Sequence, residues 1–147
     1  MQLLEQRNVR VLRSSSFYIT EPWGKTDQAF FVNAVIEVAF EGTAHQLLRL
    51  ALDVEREMGR ERLVHWGPRI IDLDILEYHG ECHDTAELSL PHPFYTVRNF
   101  VLYPLAELEP LWVPTGESQT VTDIIQGLEV SYIQCLGAEQ EQLLNGY

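Results

Sequence analysis

Lysine occurs once, at Lys25, and cysteine only twice, at Cys82 and Cys135. Ten basic residues face 22 acidic ones, for a formal net charge of −12. A duplex nucleic-acid binder needs a basic face to displace counterions from phosphate, and this balance argues against nucleic acid as a partner. The two cysteines lack metal-ligand spacing and read as unpaired thiols of a reducing, cytoplasmic environment. Long apolar runs are missing too: an uncharged apolar-rich stretch such as residues 29–36 falls far short of the about 20 residues of a membrane span. Residues 1–5 show no basic start followed by an apolar segment, so no signal peptide is expected. Neither a GxxxxGK[ST] nor a GxGxxG phosphate loop occurs, and there is no protein-kinase catalytic loop.

What is present suits a globular domain. The 147 residues, 46% hydrophobic and 22% charged, suggest one domain able to bury a core without staples. The expected division is an ordered core over 1–136 and a mobile tail over 137–147. Residues 9–20 are rich in β-branched and aromatic side chains and read as a strand closed by Glu21-Pro22-Trp23-Gly24. Residues 31–40 alternate, with Val32, Ala34, Ile36, Val38 and Phe40 on one face and Phe31 and Asn33 on the other. A loop joins the two strands, which suggests an antiparallel pair. Residues 43–58 read as a helix with a Thr43/Gln46 capping box, an apolar stripe of Leu47, Ala51, Val54 and Met58, and Gly59 as its stop. Residues 60–68 read as a loop, 70–78 as a strand and 79–81 as a turn. Residues 88–90 read as a short strand, and 97–108 and 122–128 as helical. The order is most of a βαββαβ pattern without its opening strand. The expected fold is α+β, a ferredoxin-like split βαβ antiparallel sheet with helices on one face.

The nine arginines are unevenly placed. Arg56, Arg60, Arg62 and Arg69 fall within fourteen residues, and no Lys, Arg or His follows Arg98. The guanidinium fork donates two parallel hydrogen bonds and suits phosphate. Arg56 and Arg60 are equally explained as cations at a helix C-terminus, where the dipole favours them. In a strand, Asp72 and Asp74 point to the same face, about 7 Å apart. Like charges on an apolar strand are costly unless neutralised, and a hard divalent cation such as Mg2+ neutralises them well. The plain alternative is an edge strand with solvated carboxylates. Arginines beside such a pair point to a polyphosphate ligand.

Three ordered blocks make the reading specific. The first is Ser16-Phe17-Tyr18-Ile19-Thr20-Glu21-Pro22-Trp23-Gly24, continuing through Asp27-Gln28 to Phe31-Val32-Asn33-Ala34-Val35. The second is Glu55 and Gly59-Arg60-Glu61-Arg62, then Trp66-Gly67-Pro68-Arg69-Ile70-Ile71-Asp72-Leu73-Asp74-Ile75. The third is Leu90-Pro91-His92-Pro93 followed by Arg98-Asn99-Phe100-Val101-Leu102. Over roughly residues 3–130 the chain resembles the 6-hydroxymethyl-7,8-dihydropterin pyrophosphokinase family of folate biosynthesis.

The resemblance implies transfer of a pyrophosphoryl group from ATP to the hydroxymethyl group of a reduced pterin. Asp72 and Asp74 are then the ligands of two Mg2+ ions. Arg62 and Arg69 join them as catalytic residues, and Arg62, Trp66, Arg69, Ile75, His92 and Arg98 contact ATP. The pterin set is Thr20, Trp23, Phe31, Asn33, Trp66, Asp72 and Phe100, with the two phenylalanines sandwiching the ring. Residues 60–66 would form a lid over the substrates, and Glu55 would brace this arginine loop. Family members open with a strand bearing a Gly-Ser-Asn loop and a full first helix, and residues 1–5 match only the late part of that helix. The resemblance therefore also implies a missing opening strand and an open sheet edge through which a homodimer could form. The competing expectations are a non-catalytic nucleotide-binding remnant of the family and an unrelated α+β small-molecule binder.

Overall fold

The computed structural model describes residues 1–20, 31–61, 71–129 and 133–137. The expectations for Trp23, Arg62, Trp66, Arg69, the turn at 21–24, residues 62–66 of the lid and nearly all of the tail lie outside these residues, while residues 60 and 61 of the expected lid are helical. The chain divides into two compact units, Met1–Leu12 with Val38–Pro93 and Arg13–Glu37 with Phe94–Tyr147. Both combine helices with strands, and antiparallel strand pairs occur in each.

In the first unit, α1 (Gln2–Glu5) packs on α2 (Ala44–Glu61). An ion pair between Arg7 and Glu57 accompanies this contact. The start of α2 follows its local sequence. Gln46 N donates to Thr43 Oγ1 at 3.1 Å and Thr43 N donates to Gln46 Oε1 at 2.8 Å, so two orphan donors are satisfied reciprocally. Leu47, Ala51 and Val54 form its buried stripe and join Leu4, Val9, Tyr78, Leu88 and Leu90 in the core. Gly59 does not stop the helix, which continues to Glu61. A helical glycine costs only about 1 kcal/mol, a weak barrier between good helix formers. Further on, β5 (His83–Asp84) pairs antiparallel with β6 (Ser89–Leu90). They follow a turn closed by Glu81 N and Tyr78 O, with His79 and Gly80 at φ 51° and 70°.

The expected strand over 70–78 does not appear as one. Residues 71–77, the described part before the turn, join no strand ladder among the described residues. Exposure still alternates from Ile71 to Ile75, with Asp72 and Asp74 exposed and Ile71, Leu73 and Ile75 half-buried.

The two long N-terminal strands are each divided. Residues 9–20 give β1 (Arg10–Ser14) and β2 (Tyr18–Thr20), and residues 31–40 give β3 (Phe31–Asn33) and β4 (Ile36–Ala39). β1 pairs with β4, while β2 pairs antiparallel with β3. The cause of the break is Ser15. Its N–H donates to Val35 O at 2.9 Å, but its hydroxyl, not its carbonyl, accepts from Val35 N at 2.9 Å. A side chain substituted into the ladder interrupts regular pairing on both strands.

In the second unit β2 is central, with sheet order β3-β2-β7. β7 (Ile133–Cys135) has no counterpart in the sequence reading, and it pairs antiparallel with Tyr18, Ile19 and Thr20. A single-turn 3-10 helix (Tyr95–Val97) leads into α3 (Asn99–Leu108), which runs on through the buried Pro104. α4 (Val121–Gln126) opens with a Thr120/Asp123 capping box. Tyr95, Leu102, Pro104, Pro114 and Val121 are the fully buried side chains of this unit's core. No described helix is long and apolar enough to cross a membrane.

Candidate active site

The described candidate residues fall into two groups, one in each unit. Thr20, Phe31, Asn33, Arg98 and Phe100 lie in the second unit, and Asp72, Asp74, Ile75 and His92 in the first.

Strand register assembles the second unit's group. In the β2–β3 pair, Tyr18 stands opposite Asn33 and Thr20 opposite Phe31. Directly opposed residues and their i+2 neighbours share a face, so all four project to one side of the sheet. That side meets α3, because the Tyr18 hydroxyl donates to Glu107 Oε2 at 2.8 Å. Phe100 precedes Glu107 by seven residues, close to two full turns, and so lies on the same side of α3. Register and helix period thus bring Thr20, Phe31, Asn33 and Phe100 to one sheet-and-helix face. Thr20 is buried at 4% exposure, whereas Phe31 is 53% exposed.

Arg98 joins this face through its neighbours. Its guanidinium carbon lies 5.8 Å from the centroid of the Phe94 ring and 5.7 Å from that of Phe100, within cation–π reach of both. The sequence reading missed Phe94, although an aromatic residue four before an arginine was a visible signal.

Glu107 anchors the arrangement. Burial by itself would raise its pKa, but the hydrogen bonds from the Tyr18 hydroxyl and from Ser16 N and Oγ outweigh that and hold it below the ordinary glutamate value. Tyr18 is pushed well above the usual phenol range, first by burial and then by its bond to Glu107. Nothing in the motifs marked Glu107, because its partners lie about ninety residues away.

In the first unit, the aspartate segment is tied down at three places. Leu73 N donates to Glu55 Oε1 at 2.6 Å. Leu76 O accepts from His92 N at 2.8 Å. The Tyr78 hydroxyl donates to Gly42 O. Gly42 is itself required by close approach, since a Cβ there would meet the Phe40 ring at 2.5 Å. Glu55 therefore braces the aspartate segment in the described structure, where the sequence reading had it bracing the arginine loop.

Asp72 and Asp74 present hard oxygen donors at an exposed surface. No group of three or more His, Cys, Asp or Glu among the described residues is arranged to hold a metal. Two carboxylates without a protein cage suit Mg2+, which keeps waters and shares its coordination with phosphate oxygens.

Comparison with known proteins bears on the same segments. Residues 1–110 match the family described as 7,8-dihydro-6-hydroxymethylpterin-pyrophosphokinase (HPPK). The chain is 44% identical over 126 residues to a 2-amino-4-hydroxy-6-hydroxymethyldihydropteridine pyrophosphokinase of Methylorubrum extorquens, covering 86% of this chain and 78% of that protein. The protein of the same description from Bacillus subtilis is 46% identical over 100 residues, covering 68% of this chain and 60% of that protein. The one from Haemophilus influenzae is 38% identical over 120 residues, covering 81% and 74%.

Proposed function

The chain belongs to the 7,8-dihydro-6-hydroxymethylpterin-pyrophosphokinase family, and we propose that it moves pyrophosphate from ATP to the hydroxymethyl group of 6-hydroxymethyl-7,8-dihydropterin, a step of folate biosynthesis. The hydroxyl oxygen attacks the β-phosphorus, the bond from that phosphorus to the α–β bridging oxygen breaks, and the hydroxyl proton is released. AMP and the pterin diphosphate are the products.

The observation that carries this reading is the Asp72-Leu73-Asp74 segment, with both carboxylates exposed and the peptide N–H between them held by Glu55. Asp72 and Asp74 are the proposed holders of two Mg2+ ions, with ATP as co-substrate. Mg2+ bound there supplies charge neutralisation for an in-line displacement at phosphorus. Arg62, Arg69, His92 and Arg98 are assigned to ATP and its phosphates, with Ile75 and Trp66 beside the nucleotide. Arg62 and Arg69 stabilise charge that grows in the transition state. Phe31 and Phe100 are assigned to stacking on the pterin, which suits a flat ring. Asn33 and Thr20 hydrogen-bond its polar edge, and Trp23, Trp66 and Asp72 complete the pterin set. The half-exposed ring of Phe31, on one face with Asn33 and Thr20, supports this part.

Finer statements belong to the same proposal. Residues 1–147 are proposed as a single pyrophosphokinase domain; the family match over residues 1–110 includes segments of both units. Its frame is a ferredoxin-like split βαβ, and its working environment is the cytoplasm. Self-association, where it occurs, uses β3 or β7, the outer strands around β2 among the described residues. Closure of residues 60–66 keeps water from the phosphoryl group.

The test is AMP release from ATP with and without 6-hydroxymethyl-7,8-dihydropterin. Pterin-dependent AMP release is the expected result. ATP binding without AMP release would identify a nucleotide-binding remnant of the family and overturn the catalytic reading.

A further inference from the structure

We propose that Glu55 is a positioning residue for the aspartate pair: by holding the Leu73 N–H, it sets the orientation in which Asp72 and Asp74 meet Mg2+ and ATP. This inference rests on the functional reading above.

Two carboxylates two residues apart share a direction only while the backbone between them is held extended. A strand ladder would ordinarily do this. Residues 71–77 join no ladder among the described residues, yet exposure alternates cleanly through Asp72, Leu73 and Asp74. Between the two aspartates, a helix side chain supplies a tie: Glu55 Oε1 lies 2.6 Å from Leu73 N. That N–H belongs to the peptide plane joining Asp72 to Leu73, so fixing it fixes the rotation that aims Asp72 and, one residue on, Asp74.

Glu55 is well placed to impose a geometry. It is half-buried and sits four residues after the buried Ala51 and next to the buried Val54, on a helix with a complete capping box. An ionised acceptor gives a shorter and stronger bond than a neutral one. Partners that orient metal ligands typically matter about 10–100-fold in metal affinity.

The experiment uses the full chain and three variants, Glu55→Ala, Glu55→Gln and Asp53→Asn. Asp53 is an exposed residue of α2 paired with Arg56 and serves as the control. Mn2+ binding is titrated by electron paramagnetic resonance in the presence of a non-hydrolysable ATP analogue. Amide hydrogen exchange at Leu73 is followed in metal-free protein without nucleotide. Glu55→Ala is expected to weaken Mn2+ binding by about 10–100-fold and to speed exchange at Leu73. Glu55→Gln, which keeps a neutral acceptor, is expected to show a smaller change in both, and Asp53→Asn none. Should Glu55→Ala fail to fold, Glu55→Gln carries the test alone. Mn2+ titrations of the Glu55 variants that coincide with wild type, or unchanged exchange at Leu73, overturn the inference. A wild-type chain that releases no AMP strikes the functional reading instead, and exchange at Leu73 still decides whether Glu55 holds the segment.

Discussion

Phe31→Ala separates ligand stacking from fold stability more cleanly than any other single change in the second unit. A fully buried phenylalanine stabilises a chain by about 1.5–3 kcal/mol. At 53% exposure only about half of that, roughly 1 kcal/mol, is realised before any ligand binds. Truncation should therefore lower the melting temperature by about 2–4 °C, the shift expected for 1 kcal/mol in a chain of this size. The other half of the ring is the surface proposed to cover the pterin. Stacking of a base on an aromatic side chain is worth about 1–3 kcal/mol, which is about a 5- to 150-fold rise in pterin KM at 1.4 kcal/mol per tenfold. The assay is steady-state AMP release, with pterin varied at saturating ATP and then ATP varied at saturating pterin. The expected signature is a raised pterin KM with ATP KM unchanged, restored by Phe31→Tyr. A pterin KM within twofold of wild type, or equal rises in both KM values, would refute the assignment of this face to the pterin.

Asp74→Asn should abolish AMP release while shifting the melting temperature little, because the carboxylate is exposed and surface changes usually stay within about 0.5 kcal/mol. A variant with near-normal turnover at saturating Mg2+ would remove Asp74 from the metal site. Leu102→Ala, at a fully buried position on α3, should cost about 2–5 kcal/mol in urea denaturation, and a loss below 1 kcal/mol would contradict the packing described. Glu107→Gln tests the acid side of stability. The folded pKa of Glu107 lies below its unfolded value of about 4.5, so its contribution is complete above that value and is lost as pH falls through the folded pKa. The melting-temperature gap between wild type and variant should be widest near neutral pH and close on acidification. A gap that widens toward acid would reverse the sign and refute the Ser16–Tyr18–Glu107 account.

Much of the local architecture was legible from short-range chemistry. The capping box at Thr43 and Gln46 and the stripe of Leu47, Ala51 and Val54 depend on residues three or four apart, and α2 forms where they predict. The turn after Tyr78 and the short strand ending at Leu90 follow equally local signals. Two of the differences from the sequence expectation were decided by distant partners. Residues 9–20 look like one strand until the Ser15 hydroxyl meets Val35 N. β7 carries no strong periodicity and exists because Tyr18, Ile19 and Thr20 offer it a ladder more than a hundred residues upstream.

The candidate site divides along the same line. The composition of the site, two aspartates beside an arginine cluster and a phenylalanine and asparagine at alternate positions, is written in the primary structure, because chemistry and i, i+2 periodicity are local properties. So is the family, through the order and spacing of the three blocks. Only tertiary structure decided that Thr20 opposes Phe31, that Arg98 comes within cation–π reach of both Phe94 and Phe100, and that Glu55 holds Leu73 N. Each of these joins groups whose meeting costs conformational entropy and is favoured only once surrounding packing has fixed both partners. The sequence names which atoms can act, and the folded chain sets where they point.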